Sequence, residues 1–326
     1  MSLKAIAAVL GLSVTTVSRA LNGYQDVAQE TRKRIEEEAQ RRGYRPNAAA
    51  RRLKTGRANA VGFVYPIGAS SLNGSDFSDM LLALEHHLAR YDINLLLLAD
   101  KQQSQATLTR LLRSGAVDAL IVGHTTPEDS RLHALLQTNF RFLALGRSDL
   151  PSTYAWFDVD HLAGSQLAVG WSLAQGRQRI AWLGSNENNT RVRDRRQGYL
   201  TALGEVTPYA MAAVAPSRRA GYQQTREWLA EGPVPEVIIT DCAALAEGAA
   251  LALQLAGRAA GEGAILLAGW EGLPRDAILD HPIVAIRQAT PHQAGEQVAE
   301  MVIRLIDGAP PETLQTLWQP WLQLPA

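Results

Sequence analysis

The chain lacks most of the features that announce a mechanism. It has one cysteine, Cys242. No intrachain disulfide can form, no C-x-x-C partner exists for a metal, and a reducing cytosol fits. Apolar runs such as residues 95–99 fall far short of the about 20 residues a membrane span needs. The N-terminus opens on a helix signal, not a basic-then-apolar leader, so a cytoplasmic protein with no membrane partner is expected. There is no Walker loop, no H-E-x-x-H and no G-x-S-x-G; Ala163-Gly164-Ser165 lacks the spacing and the second glycine. His86 and His87 are adjacent on a helical pattern and point to different faces, so they do not chelate together. Asp158 and Asp160 share a strand face, where hydroxyl binding is a simpler role than metal or acid–base chemistry. No catalytic residue, metal or cofactor is expected, and the chain does not read as an enzyme.

Net charge is also absent: 32 Lys and Arg balance 32 Asp and Glu. The balance is uneven along the chain, however. Residues 1–60 hold twelve Lys and Arg against five Asp and Glu, an excess of seven, and residues 61–326 carry the matching deficit. A basic head on an acidic body keeps a field for phosphate while reducing attraction elsewhere. With 326 residues, two or three domains are expected.

What is present begins with LKAIAAVLGLSVTTVSRALN, residues 3–22. Leu3, Ile6, Ala7 and Leu10 recur at helical spacing. Gly11 can leave a helix through the left-handed region. Ser13 is a good N-cap for a second helix over residues 14–22, with Val17 and Leu21 inward. Two short helices around a tight Gly turn make a helix-turn-helix, whose second helix presents N-terminal side chains to base edges. Val14, Thr15, Thr16, Ser18 and Arg19 remain for that work. An ordinary helical hairpin with a solvated face fits these residues equally well. A third helix is expected over residues 30–42, with Ile35 and Ala39 inward and Gly43 ending it. Pro46-Asn47 then opens an Ala-rich basic stretch too short to fold alone. A plain linker and a hinge helix that orders on DNA both suit it; in the second, Leu53 is an apolar wedge and Arg51, Arg52 and Lys54 lie near phosphates.

LKAIAAVLGLSVTTVSRALNG, ETRKRIEEEAQRRGYRPN, RRLKTGR and AVGFVYP, in this order and spacing, closely resemble the lac-repressor family of bacterial transcription regulators. The resemblance is specific over residues 3–65 and looser beyond. It implies a three-helix headpiece, a DNA-ordered hinge helix and a homodimer on near-palindromic double-stranded operator DNA. Val14 and Thr15 then stand at the base-reading pair, Arg19 at the guanine-contacting arginine and Leu53 at the intercalating leucine. Ser13, Thr16, Ser18, Asn22, Asn47 and Arg51 complete the expected DNA-binding set. Ala28 departs from the usual Ser cap before ETR.

From residue 60 onward, short apolar runs alternate with helical segments, which means parallel sheets covered on both faces. Ten runs over so many residues exceed one comfortable sheet. Together with what the resemblance implies, the expected fold is a small all-α helix-turn-helix headpiece plus an α/β periplasmic-binding-protein-like (type I) effector domain of two doubly wound subdomains. The expected boundaries are 1–45 for the headpiece, 46–58 for the hinge and 59–326 for the effector domain. Within that domain, one subdomain takes about 59–159 and 288–318, the other about 160–287 and 319–326. The C-terminal segment LQTLWQPWLQLPA has no leucine heptad, so no coiled-coil tetramer is expected.

Ligands of doubly wound sheets lie at the carboxyl ends of the strands. The segments there are polar with planar or aromatic members, which suits a hydroxyl-rich effector such as a sugar. By resemblance, Phe77, Arg195, Asp241, Glu271 and Gln288 fall at ligand positions. Asp160 is placed at the first crossover and Trp270 at the pocket wall; the other tryptophans, Trp156, Trp171, Trp182, Trp228, Trp318 and Trp321, read mostly as core or subdomain packing. Pro216 stands where relatives carry a stacking aromatic. Arg191, Arg193 and Arg196 read as solvated or paired, and Arg177, Arg218 and Arg219 raise the possibility of a phosphorylated effector. The competing class is a solute-binding or sugar-processing protein with an incidental basic head.

Overall fold

A computed structural model describes residues 2–21, 26–44, 56–66, 75–100, 105–231, 233–279 and 281–325. Two compact units divide at residue 58: Met1–Ala58 and Asn59–Ala326.

In the first unit, α1 (Leu3–Leu10) ends at Gly11, whose φ of 64° turns the chain and lets its N–H reach Ala7 O. The axis bends by 110° into α2 (Val14–Leu21), within the range of helix-turn-helix pairs. The third helix, α3 (Gln29–Arg41), starts and ends one residue earlier than expected. Gly43 instead takes the left-handed turn beyond it, at φ 61°. Ile6, Ala7, Val17, Ala20, Val27, Ile35 and Ala39 form the core. Ala20, not Leu21, is the fully buried residue at the end of α2: a methyl fits where three short helices converge. Glu38 is nearly buried and receives Arg41 at 2.8 Å through both Nε and Nη2, as well as Arg42.

The second unit holds two six-stranded sheets. The first takes β1 (Ala60–Pro66), β2 (Asn94–Asp100), β3 (Ala119–Val122), β4 (Phe142–Leu145), β5 (Ala155–Val159) and β11 (Gln315–Trp318), in the order β11-β5-β4-β3-β1-β2. All five pairings are parallel. Its helices are α4 (Ser75–Ala89), α5 (Gln105–Ser114), α6 (Ser130–Thr138) and α11 (Pro291–Ile306). The second sheet takes β6 (Ile180–Ser185), β7 (Ala210–Val214), β8 (Val237–Thr240), β9 (Leu266–Trp270), β10 (Ile283–Arg287) and β12 (Trp321–Gln323), in the order β12-β10-β9-β8-β6-β7. Its helices are α7 (His161–Ala174), α8 (Thr190–Leu203), α9 (Arg218–Ala230) and α10 (Ala243–Leu255). Only β12 runs antiparallel, against β10.

Strands such as Ala119–Val122 and Val237–Thr240 are buried at every position, because helices cover both faces. The chain passes between the sheets after β5, after β10 and after β11. Trp318, at the last passage, packs against the cores of both sheets and meets Phe157 edge-on at 4.7 Å. Trp321, expected in the core or in subdomain packing, is half exposed, since it lies on the edge strand β12. Helices α7 and α8 touch so closely that a Cβ on Gly198 would stand 2.2 Å from Leu162 O. Only glycine permits that approach.

Candidate DNA-reading face and ligand cleft

On the head, Ser13 caps α2: its Oγ accepts from Thr16 N–H at 3.0 Å and meets Thr16 Oγ1 at 2.8 Å. Ser13 and Thr16 therefore hold each other and fix the start of the helix. Val14 and Thr15 stand exposed beside them. Ser18 and Arg19 are half-buried, and the Arg19 guanidinium pairs with Asp26. The face thus offers one apolar side chain, one hydroxyl and one oriented arginine, a set suited to thymine methyls and guanine edges. Asn22, Asn47, Arg51 and Leu53, with the whole stretch 46–54, lie outside the described residues.

In the body, the carboxyl ends of the two sheets face one another. Thr125, beyond β3, accepts through its carbonyl from Thr190 N–H at 3.0 Å, and their hydroxyls meet at 3.0 Å. Arg193 reaches Asp149, beyond β4, and Arg275, beyond β9, reaches Asp79 on α4 at 3.0 Å.

Between these contacts lies a buried polar cluster. Helix α8 starts at Thr190, where Asn189 Oδ1 caps it by accepting from Val192 N–H at 2.9 Å. This puts Arg195 on its second turn, 1% exposed. Its guanidinium lies over Trp270, 4.0 Å from the ring centroid, donates from Nη1 to Asp241 O and from Nε to His161 Nδ1 at 3.3 Å. Burial, then the charge of Arg191, pulls Arg195 down to about 9, which still leaves it charged at neutral pH. Asp241 Oδ2 accepts from Ser185 N–H at 2.7 Å. Burial raises the Asp241 carboxyl, partly offset by that N–H and by Arg195. Arg195 Nη2 and Asp241 Oδ1 are buried without a hydrogen-bond partner of normal geometry, with only the weak Cys242 thiol beside the carboxylate.

Three expected residues hold tasks other than the ligand contact expected of them. Trp270 is not a pocket wall: it is fully buried, donates to Ser165 Oγ at 3.1 Å, and backs the Arg195 guanidinium. Asp160 follows the strand and caps α7, its Oδ1 accepting from Ala163 N–H at 2.9 Å. Phe77 packs on Phe63 and Tyr65 at 5.8 and 4.7 Å, joining an aromatic group that Tyr65 extends to His124 through a 2.6 Å hydrogen bond. Glu271 and Gln288 do meet, with Gln288 Nε2 donating to Glu271 Oε1 at 3.4 Å. Glu271 adopts φ 69°, unusual for a residue with a side chain.

Other residues surfaced only in three dimensions. Arg191 is half-buried and its charge acts on His124, His161, Arg195 and Asp241. It sits half-buried among these groups, where a solvated or paired side chain was expected. A cation in the first turn opposes the helix dipole, so helix stability does not explain it. Arg193 is paired, as read from the sequence. Arg218, of the basic trio, pairs with Glu247 and Asp276. Burial holds His124 down to about 3 and His161 well below its ordinary range, both helped by neighbouring arginines. Among the described residues, no group of three His, Cys, Asp or Glu is placed to hold a metal.

A helix-turn-helix head joined to a two-sheet body, with polar groups gathered where the sheets face each other, defines a ligand-responsive DNA-binding protein. The family follows from comparison. Residues 2–47 match the model for bacterial regulatory proteins of the lacI family, and residues 58–318 match that for periplasmic binding proteins and the sugar-binding domain of the LacI family. The chain is 46% identical over 323 residues to the HTH-type transcriptional regulator RafR of Escherichia coli, covering 98% of this chain and 96% of that one. The lac repressor dimer bound to operator and the anti-inducer ONPF superposes with a TM-score of 0.83 at 23% identity, covering 99% and 97% of the two chains. The complex of the regulator CelR with cellobiose gives 0.69 at 20%, covering 100% and 99%. The chain belongs to the LacI family of helix-turn-helix transcriptional regulators.

Proposed function

We propose that the protein is a repressor-type regulator that binds a near-palindromic operator as a homodimer, and that a small carbohydrate between its two sheets controls that binding. The observation that carries the sugar reading is the orphaned pair in the cleft. Arg195 Nη2 is a buried donor without a partner, and Asp241 Oδ1 is a buried acceptor with only the weak Cys242 thiol beside its carboxylate. Leaving such groups unmatched is costly, and sugar hydroxyls, which both donate and accept, would satisfy them. Glu271, Gln288 and Arg191 supply further polar groups, and Phe77 an apolar neighbour. The mixture of cations and carboxylates favours a neutral polyol over a phosphate ester.

On the head, Val14, Thr15 and Arg19 read bases, Ser13, Thr16 and Ser18 hold the helix against the backbone, and Asn22, Asn47, Arg51 and Leu53 extend the contact. Two heads are needed because each reads one half-site. A second copy of the chain would cover Leu82 on α4, Leu97 on the edge strand β2, Leu255 on α10 and Ile278, which are 66%, 62%, 69% and 96% exposed. The lac repressor and CelR structures, a dimer on operator and a sugar complex, support the same reading. It needs no metal or cofactor and places the protein in the cytoplasm with its DNA. The activity in this reading is binding, and burial raises the single thiol, Cys242, away from its reactive thiolate form.

Sugar control requires a ligand that prefers one arrangement of the two sheets over another. A thermal-shift screen of the full chain against neutral sugars, their phosphate esters and nucleobases tests the ligand class. A neutral sugar should raise the melting temperature, and Arg195→Lys should remove the shift. A shift produced only by phosphate esters or nucleobases would overturn it.

A further inference from the structure

We infer that His161 is a positioning residue for Arg195, acting as a neutral imidazole whose Nδ1 accepts from the arginine. The inference rests on the reading of Arg195 as a sugar-contacting group and adds how that group is held and what it is joined to.

Arg195 has three holds: the Trp270 face, the Asp241 carbonyl and His161. The first two come from strand ends of the second sheet. The third comes from the first residue of α7, at the passage between the sheets. An Nδ1 that accepts a hydrogen bond has its proton on Nε2. That Nε2–H faces Asp158 Oδ1 at 3.5 Å. Asp158 is the penultimate residue of β5 in the first sheet; its Oδ2 accepts from Arg147 Nε at 2.9 Å and its Oδ1 from Val159 N–H at 2.9 Å. The groups therefore run Arg147, Asp158, His161, Arg195, from the first sheet across the crossover at residues 159–160 to the ligand arginine. An imidazolium would have no lone pair for Arg195 and would bring two cations together. Burial and the three arginines around it, Arg195, Arg191 and Arg147, keep the ring neutral. The ring is fixed from a further side by Trp270, whose plane it meets at 62° and 5.0 Å. Trp270 in turn has no room to retreat, because Gly164 approaches so closely that a Cβ there would stand 2.4 Å from the indole.

A change in the angle between the two sheets would move Asp158 relative to His161 and so alter the anchor of Arg195. Sugar engagement and domain angle are thereby joined through one ring. The sequence gives no sign of this, since His161 and Arg195 are 34 residues apart.

The test uses full-length protein without ligand. Ring-nitrogen NMR should show His161 in the Nε2–H form at neutral pH. The Arg195 Nε–H resonance, identified by its loss in Arg195→Lys, should exchange slowly. His161→Asn keeps an oxygen acceptor at the δ position and should preserve that slow exchange. His161→Gln carries its amide to the ε position and should speed exchange about tenfold, as expected for one lost hydrogen bond. An Nδ1–H form in the unsubstituted protein overturns the inference without any variant, and so does unchanged exchange in His161→Gln. Failure of every sugar to bind would remove the ligand role of Arg195 while leaving the spectroscopic result intact, so the two failures are told apart.

Discussion

The head and the body present polar groups in opposite ways. The head is a thin structure: among the described residues, seven buried apolar side chains hold three helices, and Val14, Thr15 and Arg19 reach solvent from its surface. The body buries its working groups. Arg195 and Asp241 are each 1% exposed, and the ring that backs the arginine is fully buried. A surface reader can change its side chains at little risk to its fold, since exposed substitutions usually shift stability by under about 0.5 kcal/mol. A buried binder cannot, because each polar group is also part of the core. Operator preference should therefore be separable from stability, and ligand response should not.

The largest effect expected of that contrast is at Trp270. Trp270→Ala removes a fully buried ring and should destabilise the body by about 3–5 kcal/mol, together with losing the ligand response. Urea unfolding and the sugar-induced thermal shift measure the two. A stable variant that merely binds a different sugar would return Trp270 to the pocket wall.

Acidification gives the next effect, with different windows for the two units. The neutral form of His124 is favoured in the folded body down to about 3, from an ordinary 6.5. The unfolded chain takes up that proton first, so stability is full above 6.5 and is lost as pH falls toward about 3. His161 and His281, both lowered, act in the same direction. Asp158 and Asp241, both raised by burial, oppose it at the acid end as they protonate. In the head, Arg41 and Arg42 hold the Glu38 carboxyl down to about 2 from 4.5. Its contribution is present above 4.5 and lost between there and about 2. Hydrogen exchange at pH 7 and pH 5, read peptide by peptide, should show protection falling in the body and not in the head. Equal losses in both would contradict the assignment.

On the head, Arg19→Ala should weaken operator binding by about 1–3 kcal/mol and relax preference at one base pair, with almost no change in unfolding. A large loss of stability would mean that its pair with Asp26 matters more than its reach to DNA. The smallest effect is a gain. Ala28 stands at the N-cap of α3 with extended backbone and no side-chain bond. Ala28→Ser should supply that bond and stabilise the head by about 1 kcal/mol, measured by its thermal midpoint.

The two units also differ in how much of them could be read in advance. The head's helices follow from apolar period, Gly11 and Ser13, all local signals. Ten of the twelve strands are continuous apolar runs, so they and the two-sheet fold were legible too; β11 and β12 are short, part-exposed edge strands with no such run and were missed. The polar positions of the body were legible mainly through likeness to a family: Asp241, Glu271 and Gln288 directly follow strands, and Arg195 lies on the second turn of α8. What failed depended on side-chain direction or distant partners. A tryptophan at the end of a strand buried on both faces gives no hint of which side it takes, so Trp270 was misplaced. Asp160 before a helical run carried an N-cap signal that outweighs its position at a crossover. Arg191 resembled its solvated neighbours until the Asn189 cap extended α8 around it.

The central claim is that a sugar between the sheets controls DNA binding by the head. It is tested most directly by selecting DNA from a random library with the full-length protein, then measuring affinity for that DNA with and without the sugar that shifts the melting temperature. The account predicts that the sugar changes DNA affinity, and that Arg195→Lys abolishes the change while leaving sugar-free affinity intact. A sugar that binds the protein tightly and leaves DNA affinity the same at every concentration would contradict it.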